Sequence, residues 1–278
     1  MATGGLTTLR THLDPTPGRP AQGRRVRVIP TLLIDRNGRL VKTVKFGKRT
    51  YIGDPINAVR IFNTKKVDEL VLLDIDASAD GRGPAYKRVA EIASEAFMPV
   101  AYGGGLTSED QIARIIDCGV EKVILSTTLA QGTGLINTAA HRWGGQAVAV
   151  CLPIGRNWLG KQQVRLRQGR KKLGEDLETL VKRVTEGGAG EIMVYSIDCD
   201  GNWGGYDIEL CGQIASATSL PVVACGGAGR IAHFRDAIEA GCSAVAAGSM
   251  FIYQGKGRGV LINYPEQSRL RSEFFLHL

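Results

Sequence analysis

Short apolar runs alternate with longer amphipathic stretches along most of the chain. The runs are rich in Val, Ile, Leu and Ala and predict strands near 26–33, 69–74, 97–102, 122–126, 147–152, 191–196, 220–225 and 244–248. The stretches between them have a helical period. GDPINAVRIFN carries Asp54 as a predicted N-cap and Pro55 as the first helical residue, and TSEDQIARIIDCG ends at Gly119. This alternation is typical of a parallel sheet flanked by helices.

An internal repeat extends the pattern to the whole fold. DELVLLDIDAS at 68–78 aligns with GEIMVYSIDCD at 190–200, an offset of 122 positions. The segments at 98–127 and 220–249 align at the same offset without a gap. We therefore predict an α/β fold, a (β/α)8 TIM barrel built from two similar half-barrels, as a single domain over 25–278. Residues 1–24 lie outside the repeat, are rich in Gly, Thr and Pro, and predict a flexible N-terminal arm.

Glycine pairs follow the third and seventh predicted strands, where barrel enzymes hold their active sites. Glycine lets backbone N–H groups approach a phosphate closely, and a following helix start favours the negative charge. The matching positions in both halves predict two phosphate cradles. The predicted phosphate-binding residues are Gly104, Gly105, Ser126, Thr127, Asp200, Gly201, Gly226, Gly227, Gly248 and Ser249. We expect a substrate with a phosphoryl group at either end, or a diphosphate held at one end.

Charge and composition narrow the class of partner. A formal net charge of +8 favours anionic partners, and phosphorylated small molecules fit better than nucleic acid because no aromatic platform accompanies the scattered basic residues. The densest basic stretch, GKQQVRLRQGRKK at 160–172, predicts a solvated hairpin. The six cysteines form no CxxC pair, so we predict neither a metal site nor a cofactor. Neither a membrane span nor a signal peptide is visible, and a cytoplasmic protein is expected.

Taken together, these motifs resemble the cyclase subunit family of imidazole glycerol phosphate synthase over about residues 24–252. The resemblance rests on GDP at 53–55, DELVLLDI at 68–75, GGG at 103–105, AGEI at 189–192, SIDCDG at 196–201, ACGGAG at 224–229 and AVAAGSMF at 244–251. It implies a barrel subunit that receives ammonia from a partner glutaminase, a class I glutamine amidotransferase, in a heterodimer.

Four charged residues at strand starts match the family's ammonia gate: Arg27, Glu69, Lys122 and Glu191. Two cations and two anions in apolar strands would be costly unless they pair with each other. The resemblance implies that they form a charged gate at the face where the glutaminase docks. The alternative is a salt-bridged plug that only stabilises the barrel. Lys42, in GRLVK, matches a substrate-binding lysine of the family.

Two family aspartates, the acid and base of ring closure, are replaced here by Leu33 and Pro153. Asp35 lies in DRNG, which predicts a turn, although a bulge could return it to the site. Asp198 and Asp74 are the remaining candidates for acid–base catalysis, and capping of loop N–H groups is their alternative role. Tyr195 stands where the family has a small polar residue, which implies a reshaped pocket.

A second branch of the family is found in surface-polysaccharide gene clusters. The chain resembles it through PTLL at 30–33, NAVRIFN at 57–63, LDIDAS at 73–78, FMPVAYGGG at 97–105 and VLINYP at 260–265. This resemblance implies amidation of a nucleotide-linked or phosphorylated sugar, from acetamido to acetamidino, although Pro153 departs from this branch too. The alternatives are the cyclase subunit of histidine biosynthesis, with Asp35 as the acid, and a catalytically silent scaffold that activates a glutaminase.

Overall fold

The computed structural model describes residues 26–254 and 259–278, so the arm predicted at 1–24 lies outside the described residues. The strands within the described residues are β1 (Arg27–Ile34), β2 (Leu40–Thr43), β3 (Arg49–Gly53), β4 (Leu70–Asp74), β5 (Val100–Gly103), β6 (Lys122–Leu125), β7 (Val148–Arg156), β8 (Gln162–Leu166), β9 (Lys171–Lys172), β10 (Glu191–Ser196), β11 (Val222–Cys225), β12 (Ala244–Ala247), β13 (Tyr253–Gln254) and β14 (Gly259–Val260).

Helices follow most of the barrel strands. Those of the described residues are α1 (Pro55–Lys65), α2 (Tyr86–Glu95), α3 (Glu109–Asp117), α4 (Gly134–Trp143), α5 (Leu177–Glu186), α6 (Ile208–Ser216), α7 (Ala232–Glu239), α8 (Ser249–Ile252) and α9 (Gln267–Glu273). Short 3-10 turns cover Thr127–Gln131, Gly145–Ala147 and Phe275–His277. Within the two described ranges, no helix combines the length and the apolar character that crossing a bilayer would require.

Eight parallel strands close into a barrel. Their order is β10, β11, β12, β1, β4, β5, β6, β7, and the pairing of β7 with β10 completes the ring. The closing pair is the longest register, running from Glu191 opposite Ala149 to Ser196 opposite Ile154. The predicted (β/α)8 barrel is confirmed.

Alternation along each strand separates two cores. In β1, Val28, Leu32 and Ile34 belong to the large core between the sheet and the helices. Ile29 belongs instead to a second core inside the barrel, and Leu33 lines a cavity at the barrel's upper end. Because successive side chains of a strand point to opposite faces, this period of two fixes which residues can meet at the centre.

The strands of the two half-barrels repeat at the predicted sequence offset. Strands β5 and β11 begin and end 122 positions apart, and so do β6 and β12. The helix boundaries also agree with the sequence. Asp54 caps α1 by accepting a hydrogen bond from Ile56 N at 2.8 Å, and Ser108 caps α3.

Two hairpins extend the barrel at the carboxyl ends of its strands. The hairpin predicted at 160–172 is formed by β8 and β9, and β8 pairs with the end of β7. A second hairpin, β2 with β3, pairs with the end of β1 and was not predicted. Both hairpins stand on the side of the barrel where strands end, and they supply walls to the cavities described below.

Candidate functional site

A ring of four charges closes the amino-terminal end of the barrel. Lys122 Nζ contacts Glu69 Oε1 at 2.9 Å and Glu191 Oε2 at 2.8 Å, and Arg27 pairs with the same two carboxylates. Each cation therefore touches both anions. Burial opposes ionisation of Glu191, but Lys122 and Arg27 outweigh it and hold the pKa of that carboxyl below its ordinary value. The four predicted gate residues are brought together.

Above the ring the barrel interior is apolar and built largely from small side chains. The residues of this inner core are Ile29, Val71, Ala101, Ile124, Ala149, Cys151, Met193, Tyr195, Val223, Cys225, Ala244 and Ala246. Apolar side chains therefore fill much of the space between the ring below and the cavities above.

A central cavity opens where the strands end. At two positions of its floor, the side chains have no group that can donate or accept a proton. Leu33 of β1 and Pro153 of β7 both line it, together with Cys151 and Tyr195. Pro153 pairs with Tyr195 of β10, whereas the pairing of β7 with β6 stops at Val150. A proline lacks a backbone N–H, and this one lies beyond the last pairing with β6. Neither the leucine nor the proline side chain can carry a proton.

Asp74 is the one carboxylate that the described residues contribute to this cavity's wall. Its Oδ1 accepts hydrogen bonds from Arg82 at 2.7 Å and from Ala77 N at 3.1 Å. Its Oδ2 is buried and has no hydrogen-bond partner among the described residues. Burial raises the pKa of Asp74 above its ordinary value despite the neighbouring Arg82. Burial thus favours the protonated form of this carboxyl relative to water.

The other candidate acids lie elsewhere. Asp35 accepts hydrogen bonds from Asn37 N and Arg39 N and pairs with the Arg39 guanidinium at 2.8 Å. These bonds outweigh burial and lower the pKa of Asp35. Asp198 accepts a hydrogen bond from Arg156 N at 2.7 Å. Within the described ranges neither carboxylate lines the central cavity. Asp35 has the predicted turn role, and Asp198 is not placed for acid–base work in this cavity.

The first predicted phosphate cradle forms one wall of the central cavity, where Gly104 and Gly105 lie beside Ser126 and Thr127. A Cβ on Gly104 would lie 2.6 Å from the Asp74 carbonyl oxygen, at a φ of +137°. Packing against the neighbouring loop thus requires glycine here whether or not a phosphate binds. The missing Cβ leaves the backbone of Gly104 approachable, whereas Gly105 N already donates to Ser78 Oγ at 3.3 Å.

The second predicted cradle lines a separate cavity, the Lys42 cavity, formed by Lys42, Asp200, Gly201, Gly226, Gly227, Gly248 and Ser249 with their neighbours. Lys42 is buried, and its Nζ donates to Thr31 O at 3.2 Å. A Cβ on Gly248 would lie 1.9 Å from that Nζ. Burial lowers the pKa of Lys42 to about 8, against a smaller opposing effect of Asp200.

Sequence reasoning missed several residues of the upper end. Phe46 and Arg49 come from the unpredicted β2–β3 hairpin, and Arg167 and Gln168 come from the turn of the β8–β9 hairpin. The β8–β9 hairpin was predicted from the basic stretch at 160–172, but as a solvated hairpin. The direction in which it folds over the barrel depends on tertiary contacts.

Comparison with known proteins gives a consistent picture. The family described as "Histidine biosynthesis protein" matches residues 27–258. A Leptospira borgpetersenii protein, "Putative imidazole glycerol phosphate synthase subunit HisF", is 47% identical over 87% of this chain and 95% of its own length. "Putative imidazole glycerol phosphate synthase subunit hisF2" of Pseudomonas aeruginosa is 46% identical over 88% of this chain and 98% of its own length. "Imidazole glycerol phosphate synthase subunit HisF" of Streptomyces coelicolor is 38% identical over 81% of this chain and 90% of its own length.

The charge ring makes a prediction about stability. Replacing Lys122 by Met leaves Glu69 and Glu191 to share Arg27 alone, and a buried carboxylate without a full partner is costly. We expect a loss of about 3 kcal/mol in the free energy of unfolding, measured by urea titration. The matched control is Lys172→Met on exposed β9, expected to change it by less than about 0.5 kcal/mol. Equal, small changes in both variants would contradict the proposed coupling of the ring.

The buried Lys42 predicts a pH dependence. Its folded pKa of about 8 lies below the ordinary 10.5, so the unfolded chain binds the extra proton between these values. Burying the protonated Lys42 lowers the free energy of unfolding below about pH 8, and this loss disappears as the pH rises to 10.5. Wild type should therefore gain stability relative to Lys42→Met across this window. Parallel pH profiles of the two proteins in urea unfolding would show that Lys42 is not desolvated.

Proposed function

Since the chain belongs to the histidine biosynthesis protein family, we propose that it is the ammonia-accepting synthase subunit of a glutamine amidotransferase complex. The relatives' names describe subunits of a synthase. The charge ring of Arg27, Glu69, Lys122 and Glu191 supports a partner glutaminase docked at the amino-terminal face. Ammonia released there would pass the ring and reach the central cavity through the barrel interior.

The apolar interior supports a route for neutral ammonia. Burying an ammonium ion without a partner costs far more than burying neutral NH₃. The inner core between the ring and the cavity is lined by residues such as Ala101, Ala149 and Val223. A route of this kind keeps the nitrogen nucleophilic until it meets the substrate, because only unprotonated ammonia has a free electron pair.

For the reaction itself, we propose amidation of a nucleotide-linked or phosphorylated sugar, from acetamido to acetamidino. The observation that carries this proposal is the aprotic pair Leu33 and Pro153 on the wall of the central cavity. Imidazole closure needs proton transfers at several atoms, and each positioned acid or base contributes about 10² to 10⁴-fold. Adding ammonia to a carbonyl carbon is a smaller task. It replaces the C=O bond by a C=N bond, and the oxygen leaves as water with two of the protons of the ammonia.

Asp74 supplies the proton chemistry that this smaller task requires. Its pKa is raised by burial, and its Oδ2 has no hydrogen-bond partner among the described residues. In the proposed reaction a protonated Asp74 donates to the departing oxygen. The Gly104 cradle, with Ser126 and Thr127, lines the same cavity and offers donors to polar groups of the substrate.

The second candidate function is the cyclase reaction of imidazole glycerol phosphate synthase. The names of the relatives favour it, and the Streptomyces coelicolor protein carries that name without qualification. Comparison with known proteins thus supports the histidine pathway better than sugar amidation. The cavity lining favours amidation, because the two positions at which the family resemblance implies aspartates are Leu33 and Pro153.

Isotope transfer tests the proposed reaction. The full chain and its glutaminase are supplied with glutamine labelled with ¹⁵N in the side-chain amide and with a panel of acetamido nucleotide sugars. We expect the label in an acetamidino product, detected by mass spectrometry, and a loss of at least about tenfold in Asp74→Asn because the proton donor is removed. Release of labelled ammonia without incorporation into any sugar would contradict amidation and favour a silent scaffold.

A further inference from the structure

Three cavities meet at the carboxyl end of the barrel, and they differ in size and charge. The central cavity has a volume of about 120 Å³, and the Lys42 cavity, at about 10 Å³, has room for about one water molecule. A third cavity of about 350 Å³ lies between the β2–β3 and β8–β9 hairpins. Its wall includes Arg36, Arg49, Gln168 and Arg170, and we call it the basic cavity. None of the predicted site residues lines it.

Tyr195 stands between the central cavity and the Lys42 cavity and belongs to the walls of both. Its side chain is buried, and its hydroxyl donates to Asp200 Oδ1 at 3.1 Å. Its ring meets Phe46 edge to face, with centroids 4.9 Å apart. Pro153 and Cys225 flank it in register on the neighbouring strands. A ligand held by the Gly104 cradle therefore meets a fixed aromatic wall on its way to Lys42.

The opposite side of the central cavity has no such wall. The central and basic cavities share Phe46, Arg49 and Gln168 in their linings. Arg167 lines the central cavity and Arg170 the basic cavity, at the two ends of one hairpin turn. Both are exposed, and neither guanidinium forms an ion pair or hydrogen bond among the described residues. Both are free to bind an anion.

The rest of the basic cavity is fixed and internally neutralised. Arg49 donates two hydrogen bonds to Asp76, at 2.8 and 2.6 Å, and Arg36 pairs with Asp80 at 3.1 Å. Gln168 Nε2 ties the hairpin turn to Asp76 Oδ1 at 2.8 Å and to Ile75 O at 2.7 Å. The two aspartates thus offset Arg36 and Arg49, and the surplus positive charge belongs to Arg167 and Arg170. The turn that carries this charge is anchored to the barrel.

We propose that Tyr195 excludes the Lys42 cavity from the substrate site, and that the substrate extends from the central cavity into the basic cavity. Its diphosphate is bound where the two cavities meet, by Arg167 on the central side and Arg170 on the basic side. Arginine matches phosphate oxygens with a planar fork of donors, and two arginines on either side of one turn suit two adjacent phosphoryl groups. The substrate class is then a nucleoside-diphosphate-linked sugar, not a sugar with a phosphate at each end. This inference rests on the proposed function, since the reacting carbon lies in the central cavity.

Calorimetric titration of the full chain with inorganic pyrophosphate and inorganic phosphate tests the basic cavity. Wild type should prefer pyrophosphate. Arg167→Gln and Arg170→Gln should each weaken pyrophosphate binding about tenfold, the effect of losing one charge-assisted hydrogen bond. The matched control, Lys172→Gln on the same hairpin, should stay within about twofold. Unchanged pyrophosphate affinity in both arginine variants, or no preference in wild type, would overturn the assignment.

A bisphosphate probe tests the wall. Wild type and Tyr195→Phe, which keeps the ring, should bind fructose bisphosphate no more than about twofold more tightly than fructose monophosphate. Tyr195→Ser should bind the bisphosphate about tenfold more tightly than wild type does, and adding Lys42→Gln should abolish the gain. Circular dichroism checks that each variant folds.

If Lys42→Gln alone binds fructose bisphosphate more weakly than wild type does, Lys42 already contacts the ligand in wild type, and Tyr195 is not a wall. This comparison does not require Tyr195→Ser to fold. Both binding tests are independent of turnover. Loss of isotope transfer with intact pyrophosphate selectivity would reject the proposed reaction and keep the cavity. Isotope transfer without pyrophosphate selectivity would reject the diphosphate site and keep the proposed reaction.

Discussion

The structure depends on one constraint, the closure of eight parallel strands with every second side chain pointing inward. Closure turns position along a strand into height inside the barrel. Arg27, Glu69, Lys122 and Glu191 stand at strand starts and must meet at one end. Leu33 and Pro153 stand near strand ends and must face the cavity at the other. A charged ring at one end, an apolar core in the middle and a cavity at the other end therefore follow from the same geometry.

This division limits where protons can move. The four charges of the ring pair with one another, and apolar side chains pack together above it. At the upper end Asp74 is the carboxylate that borders the central cavity within the described residues, and burial raises its pKa. Under the proposed function, a single carboxyl at this cavity suits addition of ammonia and loss of oxygen better than construction of an aromatic ring.

We could predict the barrel strands, the repeat and the charge ring from the sequence, because each depends on periodicity or on strand position alone. It did not decide between Asp74 and Asp198, although the repeat contained a clue. Asp74 aligns with Ser196, whereas Asp198 aligns with Asp76, which is bound to Arg49 and does not line the central cavity. A shift of a few residues past a strand end changes which way a side chain points. The position of Arg167 at the cavity could not be predicted from the sequence, because it depends on how a hairpin folds back over the barrel.

We propose that a cavity bordered by Leu33 and Pro153 accepts ammonia but does not close an imidazole ring. The most direct measurement is formation of imidazole glycerol phosphate by the purified full chain, given the ribonucleotide substrate of imidazole glycerol phosphate synthase and ammonium salts. We expect no turnover by wild type above the protein-free rate, and detectable turnover when Leu33→Asp and Pro153→Asp are combined. Sustained turnover by wild type would contradict the proposal.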